Sequence, residues 1–171
     1  MSKIIFLDID GVLNCNKTVR LLPGNYLFVD TRKVLRLRDI IERTGAQLVL
    51  SSTWRYGASA NSFWSDKVAY CQLREEFKRL RCPLWIDCTP IIPVVNREKE
   101  IQAWLEKHPE VTDYVILDDY WQELMEEIQH LVICDEATGL TKKEAERAIA
   151  MLNNEKYVVE DEDNEDAGIK Y

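Results

Sequence analysis

Four short apolar runs, Lys3-Ile4-Ile5-Phe6-Leu7, Gln47-Leu48-Val49-Leu50, Tyr114-Val115-Ile116-Leu117 and Leu131-Val132-Ile133-Cys134, constrain this chain more than any other feature. They are nearly continuous rather than alternating, which marks strands buried on both faces, as in a parallel sheet. Segments of helical period separate them. The clearest is Thr31–Thr44, with Val34, Leu35, Leu37, Ile40 and Ile41 facing in, Asp30-Thr31 as its cap and Gly45 as its stop.

Further helices are predicted at Asp66–Leu80, Arg97–Lys107, Trp121–Gln129 and Lys142–Leu152, the last opened by a Thr141-x-x-Glu144 capping box. Pro83-Leu84-Trp85-Ile86 reads as a short edge strand, limited by Pro90 and Pro93. The alternation predicts an α/β fold: a doubly wound, Rossmann-like parallel sheet of about five strands with helices on both faces. Two stretches, Asn14–Asp30 and Arg55–Ser65, fit neither element and read as binding or lid loops.

The 171 residues suit one domain at 1–154 with a tail at 155–171. Of the formal charge of −8, six units come from Glu160, Asp161, Glu162, Asp163, Glu165 and Asp166. The tail therefore reads as solvated, and the near-neutral body lacks the basic stripe of a general polyanion binder. Five cysteines without a C-x-x-C pair suggest reduced thiols and a cytoplasmic protein. His108 and His130 have no zinc spacing, and no run approaches membrane-spanning length.

In open doubly wound sheets, ligands bind beyond the carboxyl ends of the strands. Leu7 leads there into Asp8-Ile9-Asp10-Gly11, Leu50 into Ser51-Ser52-Thr53, and Leu117 into Asp118-Asp119. Asp8 and Asp10, two apart on extended backbone, point the same way and repel unless a cation lies between them. With Asp118 and Asp119 they read as a hard-oxygen Mg2+ site. Such a site suits phosphoryl transfer: one carboxylate attacks in line and the second handles the proton. Gly11 permits a sharp turn that brings backbone N–H groups to a phosphate, and Ser51 or Ser52 would add a hydroxyl.

Phe6-Leu7-Asp8-Ile9-Asp10-Gly11-Val12-Leu13-Asn14 resembles the first motif of the haloacid dehalogenase (HAD) superfamily. Leu48-Val49-Leu50-Ser51 resembles its second and Val115-Ile116-Leu117-Asp118-Asp119 its fourth. Ser51-Ser52-Thr53-Trp54-Arg55, the Arg97-to-Leu105 stretch and Thr138-Gly139-Leu140-Thr141 resemble, more narrowly, the small phosphatase-like domains of RNA repair proteins. The resemblance spans roughly 3–152.

It implies that Asp8 is nucleophile and metal ligand, Asp10 acid/base and main-chain ligand, Ser51 the phosphate hydroxyl, and Asp118 and Asp119 the remaining metal ligands. The third motif's cation falls on Arg97, with Lys99 the alternative two residues later. Minimal insertions at Asn14–Asp30 and Thr53–Asn96 imply an open site, in which Trp54, Arg55, Tyr56, Phe63 and Trp64 could meet a nucleotide. The expected substrate is a phosphomonoester on a nucleic-acid end, against a small metabolite or nucleotide. A weakly catalytic binding module and a receiver domain are the rival classes, and the Asp8-x-Asp10 order disfavours the latter.

Overall fold

A computed structural model describes residues 2–21, 29–93, 96–124 and 126–157. Its elements are β1 (Ser2–Leu7), α1 (Asn16–Leu21), α2 (Thr31–Thr44), β2 (Gln47–Leu50), a 3-10 helix (Thr53–Ala58), α3 (Trp64–Arg79), β3 (Asp87–Cys88) and α4 (Arg97–Leu105). They continue as β4 (Val111–Asp118), two 3-10 turns (Trp121–Glu123 and Ile128–His130), β5 (Leu131–Ile133) and α5 (Lys142–Leu152). All strand pairs are parallel, in the order β3-β2-β1-β4-β5. The apolar β1 lies at the centre, and the crossovers leave it in opposite directions, the switch point at which such sheets build their sites.

Side chains alternate between the two faces of the sheet. Ile5, Leu7, Leu48, Leu50 and Leu117 pack with Val34, Leu37 and Ile40 of α2, Leu73 and Phe77 of α3, and Ala148 and Ile149 of α5. On the other face Ile4, Phe6, Val49 and Ile116 meet Ile101 and Trp104 of α4. The Phe6 and Trp104 rings stand edge to face at 5.4 Å. The expected double winding is thus present, with α4 covering one face and α2, α3 and α5 the other.

Local signals place the ends of two helices. Asp30 Oδ1 accepts from the Arg32 N–H at 2.8 Å, and Gly45 closes α2 at φ +70° with its N–H on the Ile41 carbonyl. Both bonds of the Thr141–Glu144 capping box are made at the start of α5. Helix α3 begins two residues before the predicted Asp66, and α4 ends at Leu105 rather than Lys107.

Two expectations are corrected. The edge strand is Asp87–Cys88, not Pro83–Ile86: Pro83 has no N–H to give, and the first ladder donor is Ile86, bonded to Leu48 O at 2.9 Å. The predicted helix Trp121–Gln129 is replaced by the two 3-10 turns, because Glu123 and Glu127 are drawn to distant partners. Glu123 Oε2 accepts from the Arg97 N–H at 3.2 Å, and Glu127 accepts from the Tyr114 hydroxyl and from Gln102.

The Asn14–Asp30 stretch, read as loop, carries the short helix α1, while 22–28 lie outside the described residues. Likewise Arg55–Ser65 is largely the 3-10 helix and the start of α3. Of the predicted tail, 158–171 lie outside the described residues. None of the five cysteines is paired, and no helix among the described residues is long and apolar enough to cross a membrane.

Candidate active site

The three central strands end side by side. The Asp8 N–H donates to Leu117 O at 2.9 Å and the Ser51 N–H to Leu7 O at 2.9 Å, so the parallel ladder holds Asp8 between Ser51 and Asp118. Carboxylate oxygens of Asp8, Asp118 and Asp119 all lie within 4.8 Å of one another. Asp8 and Asp118 are buried and Asp119 half-buried.

Among the described residues, Arg97 is the cation paired with two of these acids, Asp8 and Asp118. Arg97, the first residue of α4, places Nη2 3.2 Å from Asp8 Oδ1 and Nε 3.4 Å from Asp118 Oδ2. Lys99 is exposed, and two positions along a helix turn its side chain to a different face from Arg97. Of the two cations weighed for the third motif, Arg97 is the one that reaches Asp8.

A single guanidinium does not offset the cost of burying three carboxylates. Burial lifts Asp8 well above the usual carboxylate range although Arg97 pulls it down, and Asp118 adds to the rise. Asp118 is raised mainly by burial, and Asp119 is pushed up to about 6 by burial and by Asp118. A compact set of hard oxygen donors carrying excess negative charge fits Mg2+.

Asp10 is exposed, and its carboxylate lies outside that cluster. After Asp8 the chain is no longer extended: the N–H groups of Val12, Leu13 and Asn14 all turn back onto Ile9 O. Asp10 nevertheless lies near enough to Asp8 and Asp119 for its charge to raise both of them. Its carboxylate accepts from Asn14 Nδ2 at 2.7 Å and from Trp54 Nε1 at 2.9 Å.

Gly11 makes the expected sharp turn at φ +71°, and its own N–H donates to Asn14 Oδ1 at 3.1 Å. The glycine is needed for space. At φ +71° its Cβ would fall 2.0 Å from Asp119 Oδ2. Gly11→Ala is expected to lose roughly 1–3 kcal/mol of stability through backbone strain alone and to displace Asp119. A thermal melt checks this, and an unchanged midpoint would refute it.

The Ser51 side chain is fully buried, and its Oγ makes no hydrogen bond among the described residues. Arg97 Nη1 is likewise buried without a partner among the described residues. Ser52 is also buried; its hydroxyl helps to hold the Asp8 pKa down and accepts weakly from the Trp54 N–H at 3.4 Å.

Two proposed substrate contacts are corrected. Trp54 packs into the core with its indole N–H held by Asp10, leaving no free ring face. Arg55 is 4% exposed, with its guanidinium turned inward onto Glu100 and the carbonyls of Ser51, Ser52 and Thr89. Of the other aromatics named for a nucleotide, Tyr56 is half-buried, while Phe63 and Trp64 are 82% and 79% exposed.

Sequence reasoning assigned no role to Asn14, Glu100 or Glu123. Asn14 had a local signal, standing three residues after Gly11 where an Asx side chain can close a turn. Glu100 had a weaker one, a lone acid beside Ile101 on the stripe of α4 that faces the sheet.

Comparison with known families agrees with this geometry. The family described as HAD domain in Swiss Army Knife RNA repair proteins matches residues 4–145. The chain belongs to that family, and so to the HAD superfamily of predominantly hydrolytic domains. Searches among curated proteins and among solved structures gave no significant match.

Proposed function

We propose that this chain is a Mg2+-dependent phosphomonoesterase that works through an aspartyl-phosphate on Asp8 and acts on phosphorylated nucleic-acid ends. The observation that carries the reading is the pair of buried donors without an acceptor among the described residues, Ser51 Oγ and Arg97 Nη1, on the two residues that the β-ladder and an ion pair bring beside Asp8. Buried donors are rarely left unpaired. Phosphoryl oxygens would satisfy both while the phosphorus faces Asp8.

In the first step an Asp8 oxygen attacks phosphorus and the bond to the leaving oxygen breaks, with Asp10 giving that oxygen a proton. In the second, Asp10 takes a proton from water as the water attacks the same phosphorus. The bond to Asp8 breaks, inorganic phosphate leaves and Asp8 is restored. Asn14 and Trp54 aim the Asp10 carboxylate throughout, while Arg97 and Ser51 bind the phosphoryl oxygens. Asp8, Asp118 and Asp119, with the main-chain carbonyl of Asp10, would hold Mg2+, which supplies positive charge against the phosphoryl oxygens.

The preference for nucleic-acid ends rests on the family and on the exposed Phe63 and Trp64, which stand at the start of α3, beyond the 3-10 helix that leaves Ser52. Exposed aromatic faces stack on bases without regard to sequence. The near-neutral body favours small phosphomonoesters instead. Phosphate release with Mg2+ over nucleotides, sugar phosphates and 3'- or 5'-phosphorylated oligonucleotides decides. Oligonucleotides are expected to be the best substrates. Preference for a small ester would overturn the substrate class, and release from nothing would leave a binding module.

A further inference from the structure

We propose that Arg55 and Glu100 are a positioning pair, a buried ionic strut that fixes the Ser51–Ser52 turn and the Arg97-bearing helix in register over Asp8. The two side chains are each 2% exposed, with Arg55 Nη2 2.7 Å from Glu100 Oε2. Arg55 Nη1 donates to Ser51 O at 2.7 Å and to Ser52 O at 2.8 Å, and its Nε donates to Thr89 O at 3.1 Å. One planar guanidinium thus ties together the exit of β2, the exit of β3 and helix α4. The Tyr56 ring lies against it, 5.0 Å from ring centre to guanidinium carbon.

The other end of the strut is as well placed. Glu100 is three residues beyond Arg97, so the two share one face of α4. Holding Glu100 fixes the rotation and the axial position of the first turn of α4. Arg97 reaches Asp8 and Asp118 from that turn.

Stability is a poor explanation for such a pair. Removing two charges from water costs about as much as their attraction returns, and well-packed apolar residues in their place are often as stable or more so. Geometry is the better explanation, because the groups held by the strut are the Ser51 backbone and the helix of Arg97. Phosphoryl transfer depends on placing such donors closely, and a displacement of about 1 Å can cost about 100-fold in rate.

The inference rests on the phosphatase reading for its kinetic test, but has a second readout that does not. Arg55→Met/Glu100→Leu removes both charges together and avoids leaving one buried alone. With Mg2+ present, the folded variant is expected to melt lower than wild type, because the Ser51, Ser52 and Thr89 carbonyls lose their donor, while kcat falls about 100-fold and KM changes little. The Arg97 Nε–Hε NMR cross-peak, assigned by its loss in Arg97→Lys, is expected to shift.

If the double variant does not fold, Arg55→Lys replaces it, since an ammonium keeps the charge but cannot serve three carbonyls and Glu100 from one plane. The same changes are expected there. An active, folded variant with wild-type kcat overturns the proposal. If wild type itself releases no phosphate, the phosphatase reading fails separately and the cross-peak alone decides: a shift supports the strut, an unmoved peak refutes it.

Discussion

Asp8→Asn is expected to reduce phosphate release by roughly 10^4-fold or more while leaving the fold intact, because an amide cannot attack phosphorus. The structural half of this expectation is as sharp as the kinetic half. Burial and Asp118 raise Asp8 by more than Arg97 lowers it, so the ionised carboxylate weighs against the folded state at neutral pH and above. Asparagine removes that charge, and its oxygen can still accept from Arg97. In EDTA at pH 8 the variant should therefore melt no lower than wild type. A variant that unfolds would leave lost activity without mechanistic meaning. One that keeps both its melting point and its activity would remove Asp8 from the nucleophile's place.

The parts of this molecule that were legible in sequence are those governed by local or one-dimensional rules. Strands buried on both faces must be apolar throughout, so β1, β2 and β4 stand out as runs, and their polar exits mark the site. Caps announce α2 and α5. Strand β3 was misplaced because Leu84 and Trp85 are apolar for another reason: the Trp85 ring packs against Phe77 at 5.6 Å and Tyr70 at 5.4 Å. The helix read at Trp121–Gln129 had suitable residues, but its glutamates bind α4 and the Tyr114 hydroxyl instead of forming a solvated face.

The same division runs through the site. Asp8, Ser51, Asp118 and Asp119 converge because strand ends converge, and Arg97 starts the helix that covers that rim. Arg55 was read as a substrate contact because an arginine in an aromatic-rich loop is ordinarily exposed. Its burial depends on Glu100, on a helix far along the chain, and sequence alone does not show that pairing. Trp54 was misread similarly, since its indole meets Asp10 only once the chain has turned at Ile9.

Chelation should have the second large effect: activity lost in EDTA, restored by Mg2+, and restored poorly by Ca2+, whose longer and looser coordination misplaces the phosphate. The site geometry gives this expectation a thermodynamic form that needs no substrate. Asp8, Asp118 and Asp119 crowd their oxygens within 4.8 Å, and Arg97 is paired with Asp8 and Asp118. A divalent ion would relieve that repulsion in the folded state alone. At about 100 times its Kd it should add about 2.7 kcal/mol to the stability of the fold. Asp118→Asn and Asp119→Asn should each lose much of that gain, because each removes both a donor and part of the charge that attracts the ion. Lys99→Gln, an exposed change, should keep all of it. Equal melting points with and without Mg2+ in the wild-type protein would show that these acids do not hold the ion.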